Sequence, residues 1–464
     1  MRSRCVFFML PFPAMRLAQI TDLHARDHLA GSAANTDRES RRMGELLRRA
    51  IARCRAEGAD ALAVTGDLLD VPLWLYQPMR GFELDAPAWW RDAAIADYRM
   101  LKRILDDGGL PYLVVPGNHD IAAWMHEVFD SSPAANELTI NGLRLMTFVD
   151  HEDAGHVPRR YHPTRHRWLD ALGDAGNDTP QVHLQHYVVT PDCNARYPHT
   201  YADAASLLQR NAASGRVRLS LSGHYHAGTG LLAHGGVSYA TCPAFCEPPF
   251  PFRLYDVHGE RDAPISMQAF RLGADAVPRR RVVFVDRDGV VTLPGRYYFG
   301  PERITLAPGA AAAIRRLNDA DVAVVAISNQ ANVGMGFAPR AIMNAVNDKV
   351  QRLLWQQAGA VLDRVYASTD AGERNAVPGY RDRVRPKPDP HMMQQAVSEL
   401  NLDPAGACFI GDRVSDGDTA ANFGIQPVLV RTGLGGEQEA GFSEGYPDAP
   451  VHDDLAAAID AWLA

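Results

Sequence analysis

Asp22, His24, Asp67, Asn118, His119, Asp120, His186, His224 and His226 give the first half of this 464-residue chain a set of carboxylates, imidazoles and one amide oxygen. These donors suit hard to borderline divalent cations such as Mn, Fe or Zn. No cysteine joins them, which excludes a closed structural zinc site. Two cations about 3.5–4 Å apart can clamp the attacking and leaving oxygens of a phosphoryl displacement, provided one carboxylate bridges them.

The second half offers different chemistry. Asp286 and Asp288 flank one residue after an apolar run, and Ser328, Lys387 and Asp412 follow in later segments. A carboxylate can attack phosphorus to form an acyl phosphate. A neighbouring carboxylate can protonate the leaving group and then activate water. Magnesium and the Lys387 ammonium would supply the counter-charge, and Ser328 can donate to a phosphate oxygen.

The elements that must position these residues alternate between strand and helix patterns. Arg16–Ile20, Ala61–Thr65, Tyr112–Val115, Val182–Gln185 and Leu219–Ser222 read as strands, each ending at one of the first polar groups. Met43, Leu46, Leu47, Ala50, Ile51 and Cys54 have helical spacing, and Thr36 with Glu39 predicts a capping box before them. Val282–Val285, Val322–Ile327 and Ala407–Ile410 are strands ending at the second set, as in a doubly wound parallel sheet. Gly433 to Pro450, rich in Gly, Glu and Pro, reads as a loop.

The ordered series Asp22-x-His24, Gly66-Asp67, Gly117-Asn118-His119-Asp120, His186 and Gly223-His224-x-His226 resembles the calcineurin-like metallophosphoesterases. The resemblance implies that Asp22, His24 and His226 hold one metal, that Asn118, His186 and His224 hold the other, and that Asp67 bridges. It makes His119 the group that stabilises the transition state or protonates the leaving group, with Asp120 orienting it. His183 shares a strand with His186, and the strand-end position favours His186.

The second set resembles the haloacid dehalogenase superfamily, in particular the small capless branch of histidinol and heptose bisphosphate phosphatases. Phe284-Val285-Asp286-Arg287-Asp288-Gly289-Val290, Ser328-Asn329-Gln330, Lys387-Pro388-Asp389-Pro390 and Gly411-Asp412-Arg413 with Asp416 carry it. By this resemblance Asp286 is the nucleophile, Asp288 the acid and base, and Ser328 and Asn329 the phosphate binders. Lys387 steadies the charge. Asp412, Asp286 and the backbone carbonyl of Asp288 hold magnesium, with Asp416 supporting that site. Ala367 to Arg385 contains no cysteine where that branch carries a zinc loop, and His391 stands where it has glycine, which leaves the substrate open.

The expected fold is therefore an N-terminal four-layer α/β/β/α sandwich at 16–272, a linker at 273–280, and a doubly wound parallel-sheet domain without a large cap at 281–464. Residues 1–15 read as a leader, with Met15 an alternative start. The net charge of −8 argues against a broad nucleic-acid surface. No segment reads as a membrane span. The six cysteines are too sparse for a disulfide framework. The aromatic residues Trp74, Tyr76, Trp89 and Trp90 follow Asp67 and could wall a pocket or simply pack. The expectation is a cytoplasmic bifunctional phosphoric-ester hydrolase acting on a small phosphorylated metabolite or nucleotide. Three alternatives are a chain in which only the first site turns over, the second domain serving binding or regulation; a nucleic-acid end-trimming enzyme; and a metal- or phosphate-sensing scaffold, which need not keep Asp288 and His119.

Overall fold

The computed structural model describes residues 14–29, 38–71, 88–129, 137–273, 278–294, 300–372, 375–377 and 382–464. These divide into two compact units: 14–27, 38–71 and 94–273 make the first, and 278–464 with residues 28–29 and 88–93 the second. Thr36, Trp74 and Tyr76 lie outside the described residues, as does the side chain of Trp89. Trp90 is buried.

In the first unit, β1 (Met15–Ile20), β2 (Ala61–Thr65) and β3 (Tyr112–Val115) run parallel, and β4 (Glu137–Ile140) forms a hairpin with β5 (Leu143–Phe148). A small hairpin, β6 (His151–Asp153) and β7 (Val157–Arg159), follows. Then come β8 (Gln181–Gln185), β9 (Val217–Ser222), β10 (Leu232–His234), β11 (Val237–Thr241), β12 (Pro251–Val257) and β13 (Ser266–Arg271). They form two mixed sheets, β13-β12-β1-β2-β3 and β10-β11-β9-β8-β5-β4. Alternate side chains of both sheets, among them Leu17, Ala63, Val115, Leu145, Leu184 and Leu221, share one apolar core. Helices Thr164–Gly173 and Ala204–Ser214 cover the outer face of the second sheet through Trp168, Ala171 and Leu207. The six apolar positions of helix Met43–Ala56 are its buried residues. That helix enters through a single 3-10 turn, Ser40–Arg42, and its N-cap Arg42 makes no side-chain cap.

The second unit contains β14 (Arg280–Asp286), β15 (Ala323–Asn329), β16 (Arg364–Ser368), β17 (Leu402–Gly411), β18 (Gln426–Val430) and β19 (Val451–His452). All pair in parallel, in the order β16-β15-β14-β17-β18-β19. The chain moves outward in one direction from β14 and then returns to build the other half, so β14 and β17 flank the point where ligands bind in such sheets. Alternate residues of β14 and β15 face two cores: Val283, Val285, Val324 and Ala326 on one side, Val282, Phe284, Val325 and Ile327 on the other. The segment expected as a loop after Gly433 instead forms a helix, Gly435–Gly445. Its weak intrinsic propensity is overridden by burial of Phe442, whose ring lies 5.2 Å from that of Tyr446. Among the described residues no helix is long and apolar enough to cross a membrane.

Candidate active sites

Each sequence-predicted residue of the first site sits in a turn just beyond a strand end. The backbone there is unusual: Asp22, His24, Asp67 and His224 all have positive φ, between 44° and 66°. Non-glycine residues adopt this region at a cost, and they do so where surrounding structure fixes a functional geometry. Gly117 makes room for the cluster, since a Cβ there would stand 2.2 Å from Asp67 Oδ1 and 2.7 Å from His186 Cε1.

Asp67 divides its two oxygens between two groups of donors. Oδ2 lies 3.5 Å from His24 Nε2, and Oδ1 lies 3.5 Å from His186 Nε2. On the first side, His24 Nε2 and His226 Nε2 approach to 3.3 Å, with Asp22 Oδ1 3.7 Å from His226 Nε2. His226 Nδ1 lies 2.7 Å from Glu247 Oε1 and donates there, which turns the Nε2 lone pair toward His24 and Asp22. On the second side, His186 Nδ1 lies 2.9 Å from the Thr65 carbonyl and must donate to it, so Nε2 presents a lone pair to Asn118 Oδ1 at 3.0 Å. Buried His224 Nε2 has no hydrogen-bond partner among the described residues. Acceptors that face acceptors at these distances fit a pair of divalent cations.

The electrostatics show a demand for positive charge at the same place. Against burial, Asp67 and Asp22 raise His186 to about 9, so a proton and a cation compete for the one Nε2 lone pair. Burial also works against the Asp67 carboxylate, which His186 and His119 nevertheless hold well below the usual range. Burial, then Arg38, lowers His24 to about 3, keeping it a neutral donor. His183 points elsewhere: it is fully buried, meets Gln181 Oε1 at 2.9 Å, and packs its ring against Phe148.

One assignment changes. Asp120 does not orient His119. Its oxygens accept from the backbone N–H groups of Leu68, Leu69 and Gly117 and from Tyr98 Oη, at 2.9–3.1 Å. Asp70 faces His119 instead, with Oδ1 3.4 Å from Nδ1, and the same oxygen lies 3.5 Å from His24 Nδ1. Arg26 and Arg38 hold Asp70 in place. Asp70 and Glu247 were not singled out from the sequence. The only available signal for Asp70 was its place three residues after Asp67.

In the second unit the residues gather around a cleft of about 630 Å³ lined by Asp286, Asp288, Ser328, Asn329, Lys387 and Asp412. Lys387 Nζ lies 2.8 Å from Asp286 Oδ1 and 2.7 Å from Asp416 Oδ1. Asp416 Oδ2 accepts from the backbone N–H groups of Asp412 and Arg413, so Asp416 steadies its neighbours rather than reaching into the cleft. Asn329 has a further role. Its side chain accepts from Lys387 N–H and donates one amide hydrogen to the Lys387 carbonyl, which fixes the lysine backbone and leaves the second amide hydrogen as the donor for a phosphate oxygen. Buried Ser328 accepts from Gln330 Nε2 at 2.7 Å and keeps its own proton for donation.

Burial, against the opposing pull of Lys387 and with Asp416 and Asp412 adding to it, raises Asp286 to about 7. Burial chiefly raises Asp412 to about 6, and its Oδ1 makes no hydrogen bond among the described residues. One lysine leaves this acidic cluster short of positive charge, the condition a magnesium ion relieves.

The folds and these two carboxylate-centred sites define a phosphoesterase. The calcineurin-like phosphoesterase family matches residues 15–228, and the HAD-hydrolase-like family matches residues 384–458. A D-glycero-D-manno-heptose-1,7-bisphosphate 7-phosphatase of Thermosynechococcus vestitus is 35% identical over 188 residues, covering 40% of this chain and 95% of that protein. The solved D,D-heptose 1,7-bisphosphate phosphatase of Bordetella bronchiseptica, complexed with magnesium and phosphate, is 33% identical, covering 39% of this chain and 98% of that one, with a TM-score of 0.35. A dimetal phosphatase of Danio rerio is 16% identical over 55% of this chain and 96% of its own, with a TM-score of 0.42. The chain thus belongs to the haloacid dehalogenase-like phosphatases through its second unit, and its first unit matches the calcineurin-like phosphoesterases.

Proposed function

We propose that this chain is a bifunctional hydrolase, with a two-metal phosphoesterase in its first unit and a magnesium-dependent phosphomonoesterase in its second. The observation that carries the reading is the division of Asp67 between the two donor groups, each oxygen 3.5 Å from a different histidine. Two divalent cations, Mn, Fe or Zn, held by Asp22, His24 and His226 and by Asn118, His186 and His224, would polarise the phosphoryl group and activate water there. Asp70 engages His119 through Nδ1, which leaves Nε2 to deliver a proton to the departing oxygen.

In the second unit an Asp286 oxygen attacks phosphorus while the ester oxygen departs with a proton from Asp288. Asp288 then takes a proton from water, whose oxygen breaks the acyl phosphate and returns Asp286. Lys387 and Ser328 hold the phosphoryl oxygens. Magnesium, held by Asp286, Asp412 and the Asp288 carbonyl, would neutralise the charge that builds on them. Relatives named as heptose bisphosphate phosphatases support a small phosphorylated sugar as the substrate of this second site.

The test is a panel of phosphate mono- and diesters assayed with Mn and Mg separately, using wild type, Asp67→Asn and Asp286→Asn. Each substitution should remove one activity by at least about 10³-fold and spare the other. Identical losses from both would mean a single shared site and end the bifunctional reading.

A further inference from the structure

The first site has a wall that the chemistry above does not use. Glu152 and His156 stand on the β6–β7 hairpin, and His156 Nδ1 lies 2.8 Å from Glu152 Oε2. The other oxygen, Oε1, is buried without a hydrogen-bond partner. Glu152 is close enough to Asp67 and His186 to feel both charges. Tyr197 and His199, on the loop after β8, lie beside it. The Tyr197 ring is 5.5 Å from that of His156 at 31°, and both Tyr197 and His199 contact the ring of His224, at 5.7 Å and 4.9 Å.

This wall is built, not draped. The hairpin is closed at its base by Asp150 and Arg160, both buried, with Arg160 Nη2 2.9 Å from Asp150 Oδ2 and Tyr201 Oη donating to the same oxygen. The Arg160 guanidinium lies 4.4 Å from the centre of the Phe148 ring. The loop carrying Tyr197 is pinned by Val188 N–H to the His199 carbonyl, Cys193 N–H to Thr200 Oγ1, and Thr200 N–H to Asn194 Oδ1. Structure of this kind fixes a partly exposed tyrosine and an acid beside the candidate metal ligands, which is the arrangement of a recognition surface.

We infer that Glu152, His156, Tyr197 and His199 form a subsite for the organic group of the ester, and that this group is a hydroxyl-bearing sugar ring. A carboxyl oxygen with a spare lone pair accepts from hydroxyls, and the Tyr197 face packs against the C–H face of a ring. The same acid repels a second phosphate at that end, so the preferred ester carries its other substituents uncharged there. The inference rests on the two-metal reading of the first unit.

The experiment uses the full chain with Asp286→Asn to silence the second site, loaded with Mn. The probes are ribose 5-phosphate and p-nitrophenyl phosphate, which has a flat ring and no hydroxyl. Glu152→Gln should lower kcat/KM for ribose 5-phosphate about tenfold relative to p-nitrophenyl phosphate, through KM. Tyr197→Leu, which keeps the buried Asp150–Arg160 pair at the base of the hairpin, should raise KM for ribose 5-phosphate and serves if the first variant fails to fold. An unchanged ratio in Glu152→Gln, or an unchanged KM in Tyr197→Leu, would overturn the subsite. If the Asp286→Asn chain hydrolyses neither probe, nor the diester bis(p-nitrophenyl) phosphate, the two-metal reading itself falls. Calorimetry with ribose 5-phosphate then decides the subsite separately: binding that Glu152→Gln weakens supports it, and no binding sinks it.

Discussion

Arg287 grips both carboxylate oxygens of Asp288, with Nε 2.9 Å from Oδ1 and Nη2 2.7 Å from Oδ2. The guanidinium is fully buried, and its remaining arm reaches Asn347 Oδ1 at 2.6 Å. Gln330 Nε2 adds a donor to Oδ2. A carboxylate met only by donors stays ionised, and against the effect of burial Arg287 holds Asp288 below its ordinary range. In the proposed reaction Asp288 loosens this grip to protonate the leaving group, and the Arg287 fork sets the position to which it returns.

Arg287→Lys therefore keeps the charge but loses the fork that fixes the Asp288 rotamer. The expected result is a fall of about 10–100-fold in kcat on an alkyl phosphate, whose leaving group needs the proton. On p-nitrophenyl phosphate, whose leaving group does not, the loss should be several-fold smaller. Equal losses on both would mean that Arg287 holds the fold and not the acid.

Asp70 and Asp120 should separate in the same way. Asp70 touches His24 and His119 together, so Asp70→Asn should cut Mn-dependent kcat by about 10²-fold while the protein retains its metal. Asp120 receives three backbone amides and a tyrosine hydroxyl. Asp120→Asn should cost about 1–3 kcal/mol of stability, because an amide cannot accept from all four donors. Metal analysis, kcat and urea midpoints on both variants check this. A folded Asp120→Asn with normal stability and no activity would restore Asp120 to the chemistry.

The gathering of most candidate ligands was legible because each follows a strand in a recognisable short motif, as Asp22, Asp67 and His224 do. What failed was the assignment of partners. Asp120 neighbours His119 in sequence, but the turn points its carboxylate back at the amides of Leu68 and Leu69. Asn329 neighbours Ser328 and lines the same cleft, and no spacing announces that its amide also fastens the Lys387 backbone. Glu247 lies 21 residues beyond the histidine it orients, with no local pattern to mark it. The helix after Gly433 was misread because composition cannot report that Phe442 is buried.

Gly433 and Gly289 make a prediction about space. Both have positive φ, at 63° and 97°, and an added Cβ would stand 2.1 Å and 2.3 Å from Asp412 Oδ2. Either alanine substitution must displace the carboxylate expected to hold magnesium. Gly433→Ala should raise the magnesium concentration for half-maximal phosphatase activity by at least about tenfold, with the Mn-dependent activity of the first unit intact. An unchanged magnesium dependence would show that Asp412 is not a ligand.

His183 gives the pH prediction. Burial, then Arg160, Arg167 and Arg144, holds this histidine well below its ordinary value, so it stays neutral in the folded chain through mildly acidic pH. Once unfolded it takes a proton near pH 6.5. Below that point the unfolded state binds one proton more than the folded state does at this residue. The contribution of His183 to stability is therefore complete at pH 7 and above, and it is lost at about 1.4 kcal/mol per pH unit as the solution becomes more acidic. Other histidines titrate in the same window, so the informative quantity is the difference between wild type and His183→Gln. Glutamine keeps a polar group near Gln181 but takes up no proton. Urea unfolding of the first unit at pH 7 and pH 5 should show the variant gaining about 1–2 kcal/mol on the wild type over that interval. Parallel stability curves would mean that His183 is charged in the folded protein, and that the arginines around it lie farther off than the structure places them.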